Sequence, residues 1–163
     1  MNLTEAHNNI LETLSALLSI FGDLTALSAD DQYLAQAPTE SSEANNLTAR
    51  LNDLGLMDST LELYRLFKTS QDAVLQARAL RSSGKVSREA GPFSGYFSKL
   101  AKLLSNLTYL QKEHVERVFL HGDPTNIGLV LSNTRMDEHD PTLREWSLMI
   151  IRNLCQVSEG IRT

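Results

Sequence analysis

The amino-acid sequence predicts an all-α protein made of stacked helical repeats, an α-solenoid. A short aliphatic phrase that encloses an asparagine occurs as Leu103-Leu104-Ser105-Asn106-Leu107 and again, 47 residues later, as Ile150-Ile151-Arg152-Asn153-Leu154. Helical solenoid repeats are roughly 40 to 47 residues long, so this spacing fits one repeat. The chain is also 42% hydrophobic with only 8 glycines and 4 prolines in 163 residues, a composition that favours helices.

Asn106 and Asn153 are predicted to be structural residues of the repeat. Asparagine is a poor residue for the middle of a helix, so an asparagine flanked by leucines indicates a tertiary contact. We expect each amide to bond backbone groups of an adjoining loop, because burying it without a partner would cost about 1 to 3 kcal/mol. The alternative is that an Asn-Leu pair recurs by chance.

Five segments are predicted in the first 95 residues. An amphipathic helix is expected over residues 4–21, followed by a mobile loop over 35–46, whose Pro, Ser, Thr, Glu and Asn residues have little to bury. A short helix over 47–54 precedes a longer one from its cap Asp58 to Arg81, and residues 84–95 form a connection. In the longer helix the residues predicted to be buried are Leu61, Tyr64, Phe67, Val74 and Leu75.

The rest of the chain predicts four more helices. Two of them cover residues 96–107 and 111–120. The other two begin at a repeated device, Asp123-Pro124-Thr125 and Asp140-Pro141-Thr142, in which an aspartate caps the helix and a proline takes its first position. The residues predicted to be buried are Ile127, Val130 and Leu131 in the first, and Leu143, Trp146, Ile150 and Leu154 in the second.

Charge and cysteine content predict the compartment and an organisation in two parts. Cys155 is the sole cysteine, so no intrachain disulfide can form, which fits a reducing compartment. Glu12 and several serines interrupt the apolar stretch of residues 11–21, so no membrane span is expected. The net charge of -5 divides into -8 over residues 1–60 and +3 over the remainder.

Residues 93–163 resemble the conserved domain of ataxin-10 and its homologues, which has an armadillo-like fold. The resemblance is carried by Leu104-Ser105-Asn106-Leu107-Thr108-Tyr109, by Ile127-Gly128-Leu129-Val130-Leu131-Ser132, and most specifically by Pro141-Thr142-Leu143-Arg144-Glu145-Trp146 with Ile151-Arg152-Asn153-Leu154. It implies an armadillo-like domain over 93–163. The charge division and the helical spacing of the preceding residues predict an acidic helical region over 1–92. The resemblance also implies that another helix should be starting where the chain ends, so the solenoid is expected to be incomplete there.

The resemblance implies a non-catalytic scaffold that binds other proteins in the cytoplasm and has a role in cytokinesis and cell division. No catalytic, cofactor-binding or metal-binding residue is nominated, and no cofactor, membrane or nucleic acid is expected. Arg144, Glu145, Arg152 and Lys102 are the candidate partner-binding residues, because charged side chains beside an aromatic one are common anchors at interfaces. Trp146 itself is predicted to belong to the core.

Two other function classes stay open as alternatives. The first is a metal-dependent helical enzyme that uses the acidic turn around His139, or His121 with Asp123, although no second His or Cys falls at ligand spacing. The second is an RNA-binding helical repeat, which would use a basic face over residues 65–88. That face consists of Arg65, Lys68, Arg78, Arg81, Lys85 and Arg88. A solvated helix face is the favoured interpretation, since few aromatic residues are interleaved with these charges.

Overall fold

The computed structural model of this chain describes residues 3–34, 43–81, 93, 95–135 and 139–162. These residues form helices and turns without any strand, so the all-α prediction is confirmed for them. The helices are α1 (Leu3–Leu34), α2 (Glu43–Asp53), α3 (Leu56–Arg81), α4 (Tyr96–Thr108), α5 (Lys112–Val115), α6 (Thr125–Leu131), α7 (Leu143–Val157) and α8 (Glu159–Arg162). A π-helical turn, Glu116–Leu120, directly continues α5.

Helix α1 ends at Leu34 and not at Phe21, where Gly22 interrupts the apolar pattern. In the structure Gly22 lies inside the helix and faces α4, where a Cβ atom would lie 3.7 Å from Cδ of Lys102. Thr25, one turn later, is completely buried. The helix therefore continues through a weak helix former because a tertiary contact supports it, which local propensity does not reveal.

The predicted loop and the helices after it differ from expectation in their boundaries. Residues 35–42 of the predicted mobile loop lie outside the described residues, whereas residues 43–46 are helical because α2 begins at Glu43. Gly55 joins α2 to α3 with a φ of 82°, a left-handed conformation that glycine adopts without strain. Helix α3 starts at Leu56, so Asp58 lies in its first turn and not at the predicted cap position.

Five apolar residues are less buried than their spacing predicts. Leu75 and Leu131 are exposed, and Val74, Ile127 and Trp146 are only partly buried. Among the described side chains of residues 72–80, Val74 is the most enclosed, so this part of α3 extends beyond the helices that cover its first half. Helical periodicity identifies an apolar face, but it does not show where the neighbouring helix stops.

Helices α1 and α4 lie side by side and run in the same direction. The Tyr96 hydroxyl, in the first turn of α4, donates to the Leu11 carbonyl at 2.9 Å. In the last turns of α4, the Asn106 amide donates to the Thr25 hydroxyl at 3.0 Å. The contacts thus advance along both helices together, which defines a parallel pair.

Helix α7 packs in the same way on the other side of α4. The backbone N–H of Ser98 donates to the Asp140 carboxylate just before α7, at 3.1 Å. Farther along, the Asn153 amide donates to the Ser105 carbonyl at 2.8 Å. Helices α1, α4 and α7 therefore form a parallel row with α4 in the middle, and α4 packs most extensively against these two neighbours.

The other helices connect this row and close the core beneath it. Between α1 and α4 the chain passes through α2 and α3, and between α4 and α7 it passes through α5, the π-helical turn and α6. Each parallel helix after α1 is thus the third of three, which agrees with the two or three helices of an armadillo unit. The buried core draws on both groups, with Met57, Leu61, Tyr64, Phe67, Leu100, Leu103, Leu104, Leu107, Val115, Val118, Phe119, Leu143, Ile150 and Leu154.

Candidate functional site

The side chain of Asn106 joins α4 to α1. Its Nδ2 donates to the Gly22 carbonyl at 2.9 Å and to Oγ1 of Thr25 at 3.0 Å. The Thr25 hydroxyl in turn donates to the Phe21 carbonyl at 2.7 Å. The acceptors thus belong to a neighbouring helix and not to the adjoining loop that the sequence predicted, and Asn106 itself is only half-buried.

The side chain of Asn153 joins α7 to α4 with the same geometry. Its Nδ2 donates to the Ser105 carbonyl at 2.8 Å and to Oγ1 of Thr108 at 3.3 Å. The Thr108 hydroxyl donates to the Ser105 carbonyl at 3.0 Å. Asn153 is only 3% exposed, so these bonds satisfy an amide that water does not reach.

The two contacts form what we call the asparagine ladder: Asn106 on Gly22 and Thr25, and Asn153 on Ser105 and Thr108. In both, one amide meets a backbone carbonyl and the hydroxyl of a threonine three residues farther along the accepting helix. Because residues three apart share one face of a helix, this acceptor pair fixes how far each helix is shifted along the next. The ladder therefore sets the register of the row.

Sequence reasoning missed that α1 carries a third copy of the pattern. Residues 15–27 align with residues 98–110 without a gap, at a spacing of 83. The identical pairs are Ser15 with Ser98, Leu17 with Leu100, Leu24 with Leu107, Thr25 with Thr108, and Leu27 with Leu110. A comparison of the chain with itself would have found this signal, since the threonine acceptor recurs at the same place. Asp23 stands where α4 has Asn106.

The first Asp-Pro-Thr sequence caps its own helix. The Asp123 carboxylate accepts bonds from the Thr125 hydroxyl at 2.7 Å and the Thr125 backbone N–H at 2.9 Å. The bond from the Thr125 hydroxyl, and then the bond from its backbone N–H, lower the pKa of Asp123. Desolvation opposes this shift, and the nearby Arg65 guanidinium adds to it. Pro124 lies at the cap position of α6, one residue before the first helical position predicted for it.

The second Asp-Pro-Thr sequence caps a different helix from the one predicted. The buried Asp140 carboxylate accepts from the Ser98 N–H in the first turn of α4, whose own cap residue, Gly95, has no side chain. At α7 the cap position is held by Thr142, which makes no side-chain cap bond, and Pro141 precedes it. Asp140 therefore links the beginnings of α4 and α7.

The Tyr64 hydroxyl lies in the same region and stays protonated. Burial, and secondarily the negative charge of Asp140, raise the pKa of Tyr64 far above its ordinary value. The Tyr64 ring packs at a tilt against Phe97, with centroids 5.3 Å apart. These features make the residue part of the core and not an acid or base for catalysis.

Two further asparagines were not identified from the sequence. Asn52, which is completely buried, donates through Nδ2 to the Leu107 carbonyl at 2.9 Å and so ties α2 to the end of α4. Asn126 donates to the Val118 carbonyl at 2.9 Å, and its Oδ1 accepts a bond from Arg65. Neither lies in the aliphatic phrase of the repeat, so no pattern marked them. Amides thus join neighbouring helices at four places among the described residues.

The four candidate partner-binding residues do not form one cluster. Arg144, Glu145 and Arg152 are exposed on α7, and Glu145 and Arg152 lie two turns apart on one side of it. Lys102 on α4 directs its ammonium group to α1, where Nζ contacts Asp23 Oδ1 at 2.8 Å. The free charges of this set therefore lie on α7. Trp146, between them in sequence, is partly buried and packs against the core.

A cleft of about 470 Å³ separates α3 from the π-helical turn and α6. Two ion pairs cross it in opposite directions. Arg65 of α3 contacts Asp123 at 2.9 Å, and Arg117 of the π-helical turn contacts Asp58 of α3 at 2.9 Å. Because both guanidinium groups already have carboxylate partners, the cleft walls are held together by their own charges.

The structure also bears on the two alternative functions, a metal-dependent enzyme and an RNA-binding repeat. In the described part of the chain, no three His, Cys, Asp or Glu side chains are grouped to hold a metal ion, and residues 136–138 of the acidic turn lie outside it. Arg65 of the predicted basic face is engaged by Asp123 across the cleft. Lys85 and Arg88 lie outside the described residues. Neither alternative thus gains support from the geometry.

None of the described helices is both long enough and apolar enough to cross a bilayer. No solved structure matches this chain. Among curated proteins, the chain is 30% identical to Ataxin-10 of Xenopus tropicalis over 107 residues, and 27% identical to Ataxin-10 of Homo sapiens over 106 residues. Each match covers 63% of this chain and 21% of the relative, so the chain spans about a fifth of the length of these proteins.

The two helices that supply the ladder asparagines, α4 and α7, coincide with the family match. An Ataxin-10 homolog of Dictyostelium discoideum is 32% identical over 62 residues, which are 38% of this chain and 10% of that protein. A profile described as the spinocerebellar ataxia type 10 protein domain matches residues 97–162. This match includes Asn106, Asn153 and all of α7. Over this segment, the chain matches the ataxin-10 family.

Proposed function

We propose that this chain is a non-catalytic scaffold of the ataxin-10 type that binds other proteins through the outer side of its parallel helix row. The observation that carries the proposal is the asparagine ladder. It holds α1, α4 and α7 in a fixed register while Arg144, Glu145 and Arg152 remain exposed on α7. A rigid surface of this kind loses little conformational freedom on binding, which favours recognition.

The similarity to the ataxin-10 family supports the finer parts of the proposal. The element order and the resemblance support an armadillo-like arrangement, with two units of three helices after α1. A cytoplasmic role in cytokinesis and cell division is what the resemblance to ataxin-10 implies. In this role the chain would hold a partner in place, without any chemical step of its own.

The test exchanges two charges on α7 and two charges elsewhere. Glu145→Lys combined with Arg152→Glu inverts the proposed surface without changing net charge. Lys112→Glu combined with Glu113→Lys is the matched control, because both residues are exposed on α5. In cells that lack the native chain, the wild type and the control should recover the same set of bound proteins in quantitative affinity purification. The α7 variant should lose at least one of these proteins by about tenfold or more, which corresponds to about 1.4 kcal/mol of binding free energy.

Cell division is scored in the same cells. Loss of the native chain should raise the fraction of multinucleate cells. Expression of the wild type or of the control should return this fraction to its normal value. If both charge exchanges leave the bound proteins and the nuclear count as in the wild type, the proposed surface is wrong. Thermal unfolding of the purified variants confirms that neither exchange has unfolded the chain.

A further inference from the structure

The repeat register assigns a counterpart on α7 to each residue of α4. A shift of 47 residues superimposes the Asn106 phrase on the Asn153 phrase. One face of α4 is closed in the structure, and α7 packs against it through the Asn153 amide. The residues of that face are all buried, namely Phe97, Ala101, Leu104, Ser105 and Thr108.

Their counterparts on α7 are less buried. At the same shift these are Arg144, Leu148, Ile151, Arg152 and Cys155, which we call the α7 outer face. Leu148 is 46% exposed whereas its counterpart Ala101 is fully buried. Arg144 and Arg152 are exposed, and Ile151 and Cys155 are partly buried. Helix α7 therefore repeats the docking position of α4, but Arg144, Leu148 and Arg152 remain exposed there.

The acceptor atoms of the ladder are repeated there as well. The Ser105 carbonyl accepts the Asn153 amide, and the corresponding atom on α7 is the Arg152 carbonyl. A backbone carbonyl has two lone pairs, so it can accept a side-chain donor besides its helical bond. Cys155 stands in the place of Thr108, with a thiol that accepts more weakly than a hydroxyl.

The α7 outer face also differs in charge from the corresponding face of α4. Arg144 replaces Phe97 and Arg152 replaces Ser105. These guanidinium groups lie on opposite margins of the exposed Leu148 side chain, as their helical spacing requires. A complementary helix would therefore carry carboxylates at the margins of its contact, in addition to an amide at its centre.

We infer that the α7 outer face docks one helix of another protein, parallel to α7, which carries an asparagine between aliphatic residues and acidic residues beside it. The asparagine Nδ2 donates to the Arg152 carbonyl, the aliphatic residues cover Leu148 and Ile151, and the carboxylates meet Arg144 and Arg152. This inference rests on the proposed scaffold function and names the class of partner. It extends an interface that the structure already uses at α1 with α4 and at α4 with α7.

A second copy of this chain fits the face less well. The amides of Asn106 and Asn153 are already occupied within each copy. The corresponding residue of α1 is Asp23, whose carboxylate cannot donate a hydrogen bond and is already paired with Lys102. Asn52 and Asn126 likewise donate to carbonyls within the chain.

The probe is a helix-constrained peptide that copies residues 143–157 with Cys155→Ser, since this segment is a known ladder helix that contains both Glu145 and Asn153. Fluorescence anisotropy of the labelled peptide should show saturable binding to the full chain. The same peptide with Asn153→Leu should bind about tenfold more weakly, because the carbonyl loses its donor. Equal affinity of the two peptides would overturn the inference.

Variants of the chain show where the probe peptide binds. Leu148→Glu should abolish binding of the probe and Arg152→Glu should weaken it about tenfold, whereas Leu80→Glu, at an exposed position on α3, should leave it unchanged. Binding that survives Leu148→Glu would mean that the probe has displaced α7 or entered elsewhere, and the inference would be wrong. Absence of saturable binding at about 1 mM peptide would also overturn it.

Two controls separate this inference from others. Sedimentation of the chain alone should show a monomer, and a dimer that Leu148→Glu dissolves would make a second copy the true occupant and overturn the inference. If the probe fails while the charge exchange on α7 still releases cellular proteins, helix docking is wrong and the scaffold function stands. If the probe binds while the charge exchange releases nothing, the scaffold function is wrong in cells.

Discussion

Helices α1 and α4 carry nearly the same apolar pattern, yet the pattern is buried in one and exposed in the other. In α4, Leu100, Leu103 and Leu107 are at most 1% exposed, because α3 closes over the same helix. The aligned residues of α1, namely Leu17, Ile20 and Leu24, are 46%, 54% and 45% exposed. An apolar stripe thus defines a core only where a further layer covers it.

The largest expected effect is the difference in stability loss between truncations in these two stripes. Leu103→Ala should lower the free energy of unfolding by about 2 to 5 kcal/mol, because it opens a cavity among buried side chains. Ile20→Ala should lower it by about 1 kcal/mol or less, since half of that side chain already contacts water. Urea unfolding followed by circular dichroism measures both.

Equal effects of these two substitutions would contradict the comparison. They would mean that the α1 stripe is covered in solution as the α4 stripe is. Leu17→Ala provides a second check on α1 and should resemble Ile20→Ala.

Replacing the buried asparagine of the ladder should cost more stability than replacing the half-buried one. Asn153→Leu should cost about 1 to 3 kcal/mol despite its added apolar volume, because the buried Ser105 carbonyl loses a donor. Asn106→Leu should cost less, about 1 kcal/mol, because Asn106 is itself only half-buried and its amide is less shielded from water than that of Asn153. Chemical denaturation of the purified single variants measures both.

A double-mutant cycle tests whether the ladder is the cause. Asn153→Ala and Thr108→Val should be non-additive, since each removes a partner of the other. Additive effects would show that Asn153 matters through packing alone.

Substitutions of the two capping aspartates should have the next largest effect on stability. Asp140→Ala should cost about 0.5 to 2 kcal/mol, the usual range for loss of a helix cap, because the α4 N-terminus has no side-chain cap of its own. Asp140→Asn keeps an acceptor oxygen and should recover much of the loss. Asp123→Ala should have a smaller effect, because water can replace an exposed cap. Thermal unfolding of the three variants ranks them, and a larger effect at Asp123 would contradict this assignment.

The smallest expected effect is a dependence of the Asp123 contribution to stability on pH. The pKa of Asp123 is lowered from its ordinary value of 3.8, so its contribution to stability is fully present above that value and is lost as pH falls through the lower folded pKa. The difference in melting temperature between wild type and Asp123→Asn should therefore be larger at pH 7 than at pH 2. An unchanged difference would show that the cap bonds do not form in solution.

Local patterns could be predicted from the sequence, and contacts between distant segments could not. The boundaries of α4 follow from its spacing of leucines, and the all-α class follows from composition. The partner of Asp140 could not be predicted, because a capping motif does not say which N-terminus it meets. The extension of α1 through Gly22 depends on α4 passing beside it, and the exposure of Leu75 depends on where the covering helices stop.

The parallel direction of α1, α4 and α7 gives the row an electrical polarity. Each helix carries roughly half a positive charge at its N-terminus and half a negative charge at the other end, so three aligned dipoles reinforce one another at both edges of the row. An antiparallel bundle would cancel them. The Asp140 carboxylate lies at the positive edge, between the starts of α4 and α7, where one buried anion offsets two dipoles at once.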